Sequence, residues 1–143
     1  MKNNFYNKPI GNVYIKPSIK SELSTQILYG EKFQILLKKK GWVKIKTSFD
    51  KYSGYIKDDI FINSLKPTHK IFSTKSLIYK KVNSNFVKTK QYLYFSSRIE
   101  NLEIEKNYIK FSKNKWLKKK DLKKVSHVQK NYKKIFKSFL NVK

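Results

Sequence analysis

The 143-residue chain contains no cysteine, no alanine, one arginine (Arg98), three prolines and four glycines. Without cysteine, a disulfide scaffold, a thiolate zinc site and a cysteine nucleophile are excluded within these residues. The four glycines, Gly11, Gly30, Gly41 and Gly54, are scattered through separate turns, so there is no glycine-rich phosphate loop. His69 and His127 stand alone without clustered carboxylates, so neither a metal nor a cofactor is expected. Asp58 and Asp59 are adjacent, and successive strand residues point to opposite faces, which makes them a poor acid/base dyad. No window approaches 18 apolar residues, so no transmembrane segment is expected. Met1 to Pro9 lacks an apolar run of signal-peptide length, and the expectation is a soluble cytoplasmic protein.

Negative charge is scarce as well. Nine Asp and Glu face 34 Lys and Arg, for a net charge of +25. Such a surplus first suggests a polyanion partner. It is almost entirely lysine, however, and sequence-reading proteins lean on the bidentate arginine fork. Abundant Lys, Asn and Ile with no Ala also fits compositional drift that loads neutral surface positions with lysine. Residues 1–68 hold 13 cations and 5 carboxylates, or +8; residues 69–143 hold 21 and 4, or +17. A polyanion would dock on the second half.

Aromatic residues are plentiful, at 15% of the chain, which argues for a folded core. Short β-type runs dominate up to about residue 122: Val13-Tyr14-Ile15, Gln26 to Tyr29, Trp42 to Lys46 and Gly54-Tyr55-Ile56. Phe33, Ile35 and Leu37 alternate as one buried strand face, and Ile60-Phe61-Ile62 closes the unit. Strands this short and evenly spaced suggest a small barrel. Lys66-Pro67-Thr68 reads as a linker, after which the pattern restarts. Leu93-Tyr94 answers Leu28-Tyr29, Ile99 answers Phe33, and Tyr108 answers Trp42 at an offset of 66 residues. Trp116-Leu117-Lys118 answers Tyr55-Ile56-Lys57, and Leu122 answers Ile60. The reading is a diverged internal duplication.

The tail has a different period. Val128, Tyr132, Ile135, Phe136, Phe139 and Leu140 share one face of an α-helix, with Lys130, Lys133, Lys134 and Lys137 opposite. Ser126 and Gln129 fit a capping box. A basic amphipathic helix can lie on a membrane surface or RNA, but packing of its apolar face on a domain is favoured.

The first copy resembles the bacterial SH3-like (SH3b) domain of NlpC-type cysteine peptidases. These are the γ-D-glutamyl-L-diamino acid endopeptidases, also called dipeptidyl-peptidase VI, which cut cell-wall peptides. The resemblance lies in Val13-Tyr14-Ile15 with Pro17-Ser18, in Thr25-Gln26-Ile27-Leu28-Tyr29-Gly30-Glu31, in Lys40 to Ile45 and in Tyr52-Ser53-Gly54-Tyr55-Ile56. Tyr55 stands where the family more often has tryptophan. The second copy resembles the family's second SH3-like domain more loosely, and the last helix resembles the first helix of its peptidase domain. The segments that carry the family's catalytic cysteine and histidine have no counterpart here, so the chain as it stands is expected not to be an enzyme.

The expected fold is therefore mainly β: two small SH3-like barrels in tandem, over residues 10–62 and 69–125, plus an amphipathic C-terminal α-helix over 126–143. The resemblance implies that the first barrel recognises the free amino end of a cell-wall (peptidoglycan) peptide. By position, Glu31 and Tyr52 carry that role, the carboxylate pairing with an ammonium group and the phenol adding apolar area and a hydroxyl. Each has a plainer reading, Glu31 as a solvated turn residue and Tyr52 as a loop aromatic over the core. Trp42, Tyr55, Tyr108 and Trp116 are expected in the barrel cores. The expected partners are a cell-wall peptide, or a peptidase domain docking on the 127–140 helix. The alternative is a basic nucleic-acid-binding protein built on small β-barrels, with Lys106 to Phe111 as its aromatic-basic stretch.

Overall fold

The structure is a computed structural model that describes residues 2–125. The helix expected over 126–143 lies outside the described residues. The described chain is mainly β and divides into two compact units, the first ending at Leu65 and the second beginning at Lys66.

The first unit holds β1 (Asn4–Phe5), β2 (Ile10–Tyr14), β3 (Leu23–Leu28), β4 (Lys32–Lys39), β5 (Trp42–Thr47) and β6 (Ser53–Lys57). They form one antiparallel sheet in the order β1-β4-β5-β6-β2-β3. Lys40 and Gly41 close the β4–β5 hairpin with φ of 39° and 81°, the two positive values that a tight two-residue hairpin turn requires. A Cβ on Gly41 would meet nothing within 4 Å, so its conformation is what calls for glycine there. Val43 and Ile45 of β5 and Ile56 of β6 point inward beside Val13, Ile27, Phe33 and Tyr6 to make the core, with Phe61 packed against it. Full burial of such a side chain contributes about 1.5–3 kcal/mol.

Two expectations change here. The pairing of β4 with β5 shifts register between Ile35 and Leu37. A bulge reverses the alternation of side chains, so Leu37 is exposed rather than continuing the buried face of Phe33. The N-terminal residues also belong to this unit. Phe5 pairs with Ile62, and Phe5 and Tyr6 are both buried, ahead of the expected start at residue 10.

The second unit holds β7 (His69–Ile71), β8 (Lys75–Val82), β9 (Asn85–Tyr94), β10 (Arg98–Ile99), β11 (Glu103–Glu105), β12 (Tyr108–Ser112) and β13 (Lys115–Lys118). A 3-10 turn (Lys119–Asp121) then leads into β14 (Leu122–Lys124). Its larger sheet runs β11-β12-β13-β8-β9, the same order as β4-β5-β6-β2-β3. Its smaller sheet, β10-β7-β14, corresponds to the start of β4, to β1 and to the Ile62 bridge.

The correspondence extends to single hydrogen bonds. Tyr6 N–H donates to Glu31 O at 3.0 Å, as Ile71 N–H does to Ser97 O. Gly30 N–H donates to Tyr6 O at 2.9 Å, and Ser96 N–H to Ile71 O at 3.0 Å. Tyr29 N–H reaches Pro9 O, and Phe95 N–H reaches Thr74 O. Asp58 N–H reaches Gly41 O at 2.9 Å, and Lys119 N–H reaches Asn107 O at 2.8 Å. Gly30 and Ser96 share a left-handed backbone, with φ of 78° and 79°. Two expected pairs move by a residue. Since Tyr29 matches Phe95, Leu28-Tyr29 corresponds to Tyr94-Phe95 rather than to Leu93-Tyr94. Ile60 is 91% exposed, whereas Leu122 is buried. Phe5 pairs with Ile62 as Lys70 pairs with Lys123, so the counterpart of Leu122 is Phe61.

Candidate functional site

Glu31 follows the left-handed Gly30 in the turn between β3 and β4. Its backbone is held on both sides: its N–H donates to Leu28 O at 3.1 Å and its carbonyl accepts from Tyr6 N–H at 3.0 Å. Its carboxylate folds back, Oε1 accepting the Leu28 N–H at 3.1 Å. A charge-assisted bond of this kind fixes the side chain as well as the turn. Glu31 is thus half-buried, with its carboxyl group turned back onto its own turn.

Tyr52 ends the loop between β5 and β6. Its backbone is clamped on the buried Thr47: Tyr52 N–H donates to Thr47 Oγ1 at 2.9 Å, and Thr47 N–H donates to Tyr52 O at 2.8 Å. Tyr52 as a whole is 47% exposed. Ser48 N–H donates to Lys32 O at 3.0 Å, tying the start of this loop to the residue after Glu31. The two residues therefore lie at the same end of the first sheet, on neighbouring connections, with rigid backbones beneath both.

The four core aromatics separate. Trp116 is buried at 3% exposure, as expected, but Trp42, Tyr55 and Tyr108 are half-buried. The reason is the strand period: Val43, Ile45 and Thr47 take the inward positions of β5, leaving Trp42 outward, and Ile109 and Phe111 do the same to Tyr108. On the outer face of the first unit, Trp42 packs edge-on to Tyr14 at 5.8 Å. In the second unit, Phe86 stacks on Tyr108 at 3.9 Å and 15°, and meets Trp116 edge-on at 5.1 Å. These rings pack on one another.

A second constellation, which sequence reasoning missed, lies at the other end of β6. Asp59 is held by Asn7 Nδ2 at 3.2 Å and Lys8 Nζ at 3.5 Å, and its Oδ1 accepts the Ile60 N–H. The Asn7 and Ile60 hydrogen bonds, with the Lys8 charge, hold its carboxyl below the usual range. Beside it, burial and then the Asp59 charge push the Tyr6 phenol up. The paired aromatics Phe5 and Tyr6 in an otherwise polar N-terminal stretch were the available signal. Among the described residues, no group of three His, Cys, Asp or Glu is placed to hold a metal, and no helix is long and apolar enough to cross a membrane.

Residues 13–59 match the family described as the bacterial dipeptidyl-peptidase SH3 domain. Among solved structures, the fold is similar to that of an NlpC/P60 family protein from Bacillus cereus ATCC 10987, with a TM-score of 0.66 at 13% identity. The similarity covers 85% of this chain and 55% of that one, so the chain spans about half the length of the protein it matches. No curated protein matches the chain. The resemblance to the SH3-like region of NlpC-type peptidases thus rests on sequence in the first unit and on fold across most of the chain.

Proposed function

We infer that the chain is a non-catalytic recognition module, the accessory half of an NlpC-type endopeptidase, built from two SH3-like barrels that arose by duplication. The observation that carries this reading is the family match over residues 13–59, which spans the turn with Glu31 and the loop with Tyr52. The position-by-position agreement of strand order between the units supports the duplication. The chain has no cysteine, so it supplies no thiolate for the family's chemistry. Its contribution is to hold the free amino end of a cell-wall peptide. Glu31 pairs with the ammonium group and the exposed face of Tyr52 covers the adjoining backbone. The oriented carboxylate and the clamped loop leave little to reorganise on binding.

Calorimetric titration of the full chain with a cell-wall peptide bearing a free amino end tests this. Acetylation of that amine, or Glu31→Gln, is expected to weaken binding about tenfold or more, the scale of one charge-assisted bond. Equal affinity for the free and acetylated peptides overturns the reading.

A further inference from the structure

Tyr6, Lys8, Asn12, Tyr14, Lys57 and Asp59, with Ile19, Ile56 and Phe61, line a cleft of about 220 Å³ in the first unit. It lies at the far end of β6 from Tyr52 and does not depend on the role given to Glu31. Its Tyr6 wall lies against a glycine. A Cβ on Gly11 would fall within 2 Å of the Tyr6 hydroxyl, so a side chain at 11 would have to displace the phenol from its present place. At the equivalent positions the second unit has Ile71 and Ser76, and Ser76 is fully buried with its hydroxyl on Asp121.

The charges of the cleft are unequal in availability. Asp59 is occupied by Asn7, Lys8 and the Ile60 N–H. Lys57 is exposed at the end of β6 and has no acidic partner among the described residues. Tyr6 is 8% exposed, and its hydroxyl is part of the cleft lining. Burial keeps that phenol protonated, so it is a donor. A donor at the wall of a cleft can pair with a ligand oxygen. Beside these two donors, Ile56 and Phe61 give an apolar floor, and Ile19 stands 63% exposed on the loop at the rim.

We propose that this cleft binds the terminal carboxylate of a short peptide, with Lys57 and the Tyr6 hydroxyl on the carboxylate and the last side chain on Ile56, Phe61 and Ile19. The net charge of the lining, two lysines against one carboxylate, favours an anion. The volume lies below that of drug-sized pockets, so it suits one residue rather than an extended ligand.

The test is a titration of the isotope-labelled full chain at about 150 mM salt, where long-range attraction to the basic surface is screened. The probes are N-acetyl-leucine, N-acetyl-leucinamide and acetate. Saturable shifts of the Asn12, Ile56 and Lys57 amides with N-acetyl-leucine alone are expected. Lys57→Gln should weaken that binding tenfold or more, and Tyr6→Phe several-fold, while Lys88→Gln, an exposed lysine of the second unit, changes nothing. The same shifts with the amide remove the carboxylate from the proposal and overturn it. The same shifts with acetate reveal a generic anion site and also overturn it, as does indifference to Lys57→Gln. Amide spectra of both variants that overlay on the parent outside the cleft show that the fold is intact.

Discussion

The two units share a backbone ladder and differ in what they mount on it. Where the first has Tyr6 over Gly11, the second has Ile71 over Ser76. Glu31, tied to the Leu28 N–H, is replaced by Ser97, which is 1% exposed with an unpartnered hydroxyl. Asp59, by the shared hydrogen bond of the preceding residue, is replaced by Lys120. The hairpins differ too. β8 and β9 run on to Val82 and Asn85 through Asn83 and Ser84, both with positive φ, and carry Phe86 onto Trp116 and Tyr108. In the first unit the corresponding connection is the 15–22 loop, which leaves Tyr14, Tyr55 and Trp42 half-exposed and the cleft open. One ladder thus supports an outer face closed by its own aromatics in one copy and a face with a cleft and placed carboxylates in the other. The ladder is shared, and the connections and single side chains mounted on it differ.

The largest effects test the division itself. Phe33 and Ile99 occupy the same position and both are fully buried. Phe33→Ala is expected to cost about 3–5 kcal/mol and Ile99→Ala about 2–5 kcal/mol. Native-state hydrogen exchange should show each loss in its own unit, at Val43 and Ile45 for the first and at Ile109 and Phe111 for the second. Equal loss of protection in both units would break the comparison.

Exchanging the residue pair comes next. Gly11→Ser alone drives a side chain into the Tyr6 phenol and should cost about 1–3 kcal/mol in urea unfolding. Adding Tyr6→Ile reproduces the second unit's pair and should recover much of that loss, a favourable coupling that only contacting residues show. Additive costs would mean that the two positions do not depend on each other.

Acid should separate the units further. Burial, and then the charges of Lys124 and Lys119, lower the His69 pKa from its usual 6.5. The folded state prefers the neutral ring, so this contribution is present above about pH 6.5 and is lost as pH falls through the depressed value. Amide protection in the second unit should fall between about pH 7.5 and 5 more than in the first unit, which has no histidine. His69→Gln should flatten that difference; an unchanged pH profile in this variant would assign the loss to other groups.

The smallest effects have opposite signs at one position. Glu31→Gln weakens the bond to the Leu28 N–H and should cost about 0.5–1 kcal/mol. Ser97→Ala removes a buried hydroxyl without a partner and should be neutral or stabilising by up to about 1 kcal/mol. Thermal unfolding of the two variants measures both; destabilisation of similar size would show that Ser97 has a partner after all.

Much of the first unit was legible because its strands follow period two and its turns carry glycine. The inward residues of β5 and β6 are Val43, Ile45 and Ile56, although Trp42 and Tyr55 were expected in the core. The same alternation places those two rings outside, where size and apolarity alone suggested the core. Leu37 was misread because a bulge adds a residue without a sequence mark. β1 was missed because two residues are too few to show a period. Trp116 could be expected buried only as an aromatic: what covers it is Phe86, brought over by a hairpin from elsewhere in the chain.

The sequence by itself determined the class of fold, the restart after Lys66 and the absence of a thiolate nucleophile, because period, spacing and residue chemistry are local properties. Tertiary structure decided the rest. It joined Phe5 to Ile62, set Tyr6 in the space left by Gly11, turned Asp59 toward Asn7 and Lys8, and brought Glu31 and Tyr52 to one end of the sheet. These depend on which distant segments meet, and that is fixed by strand order and register, which no window of the sequence contains.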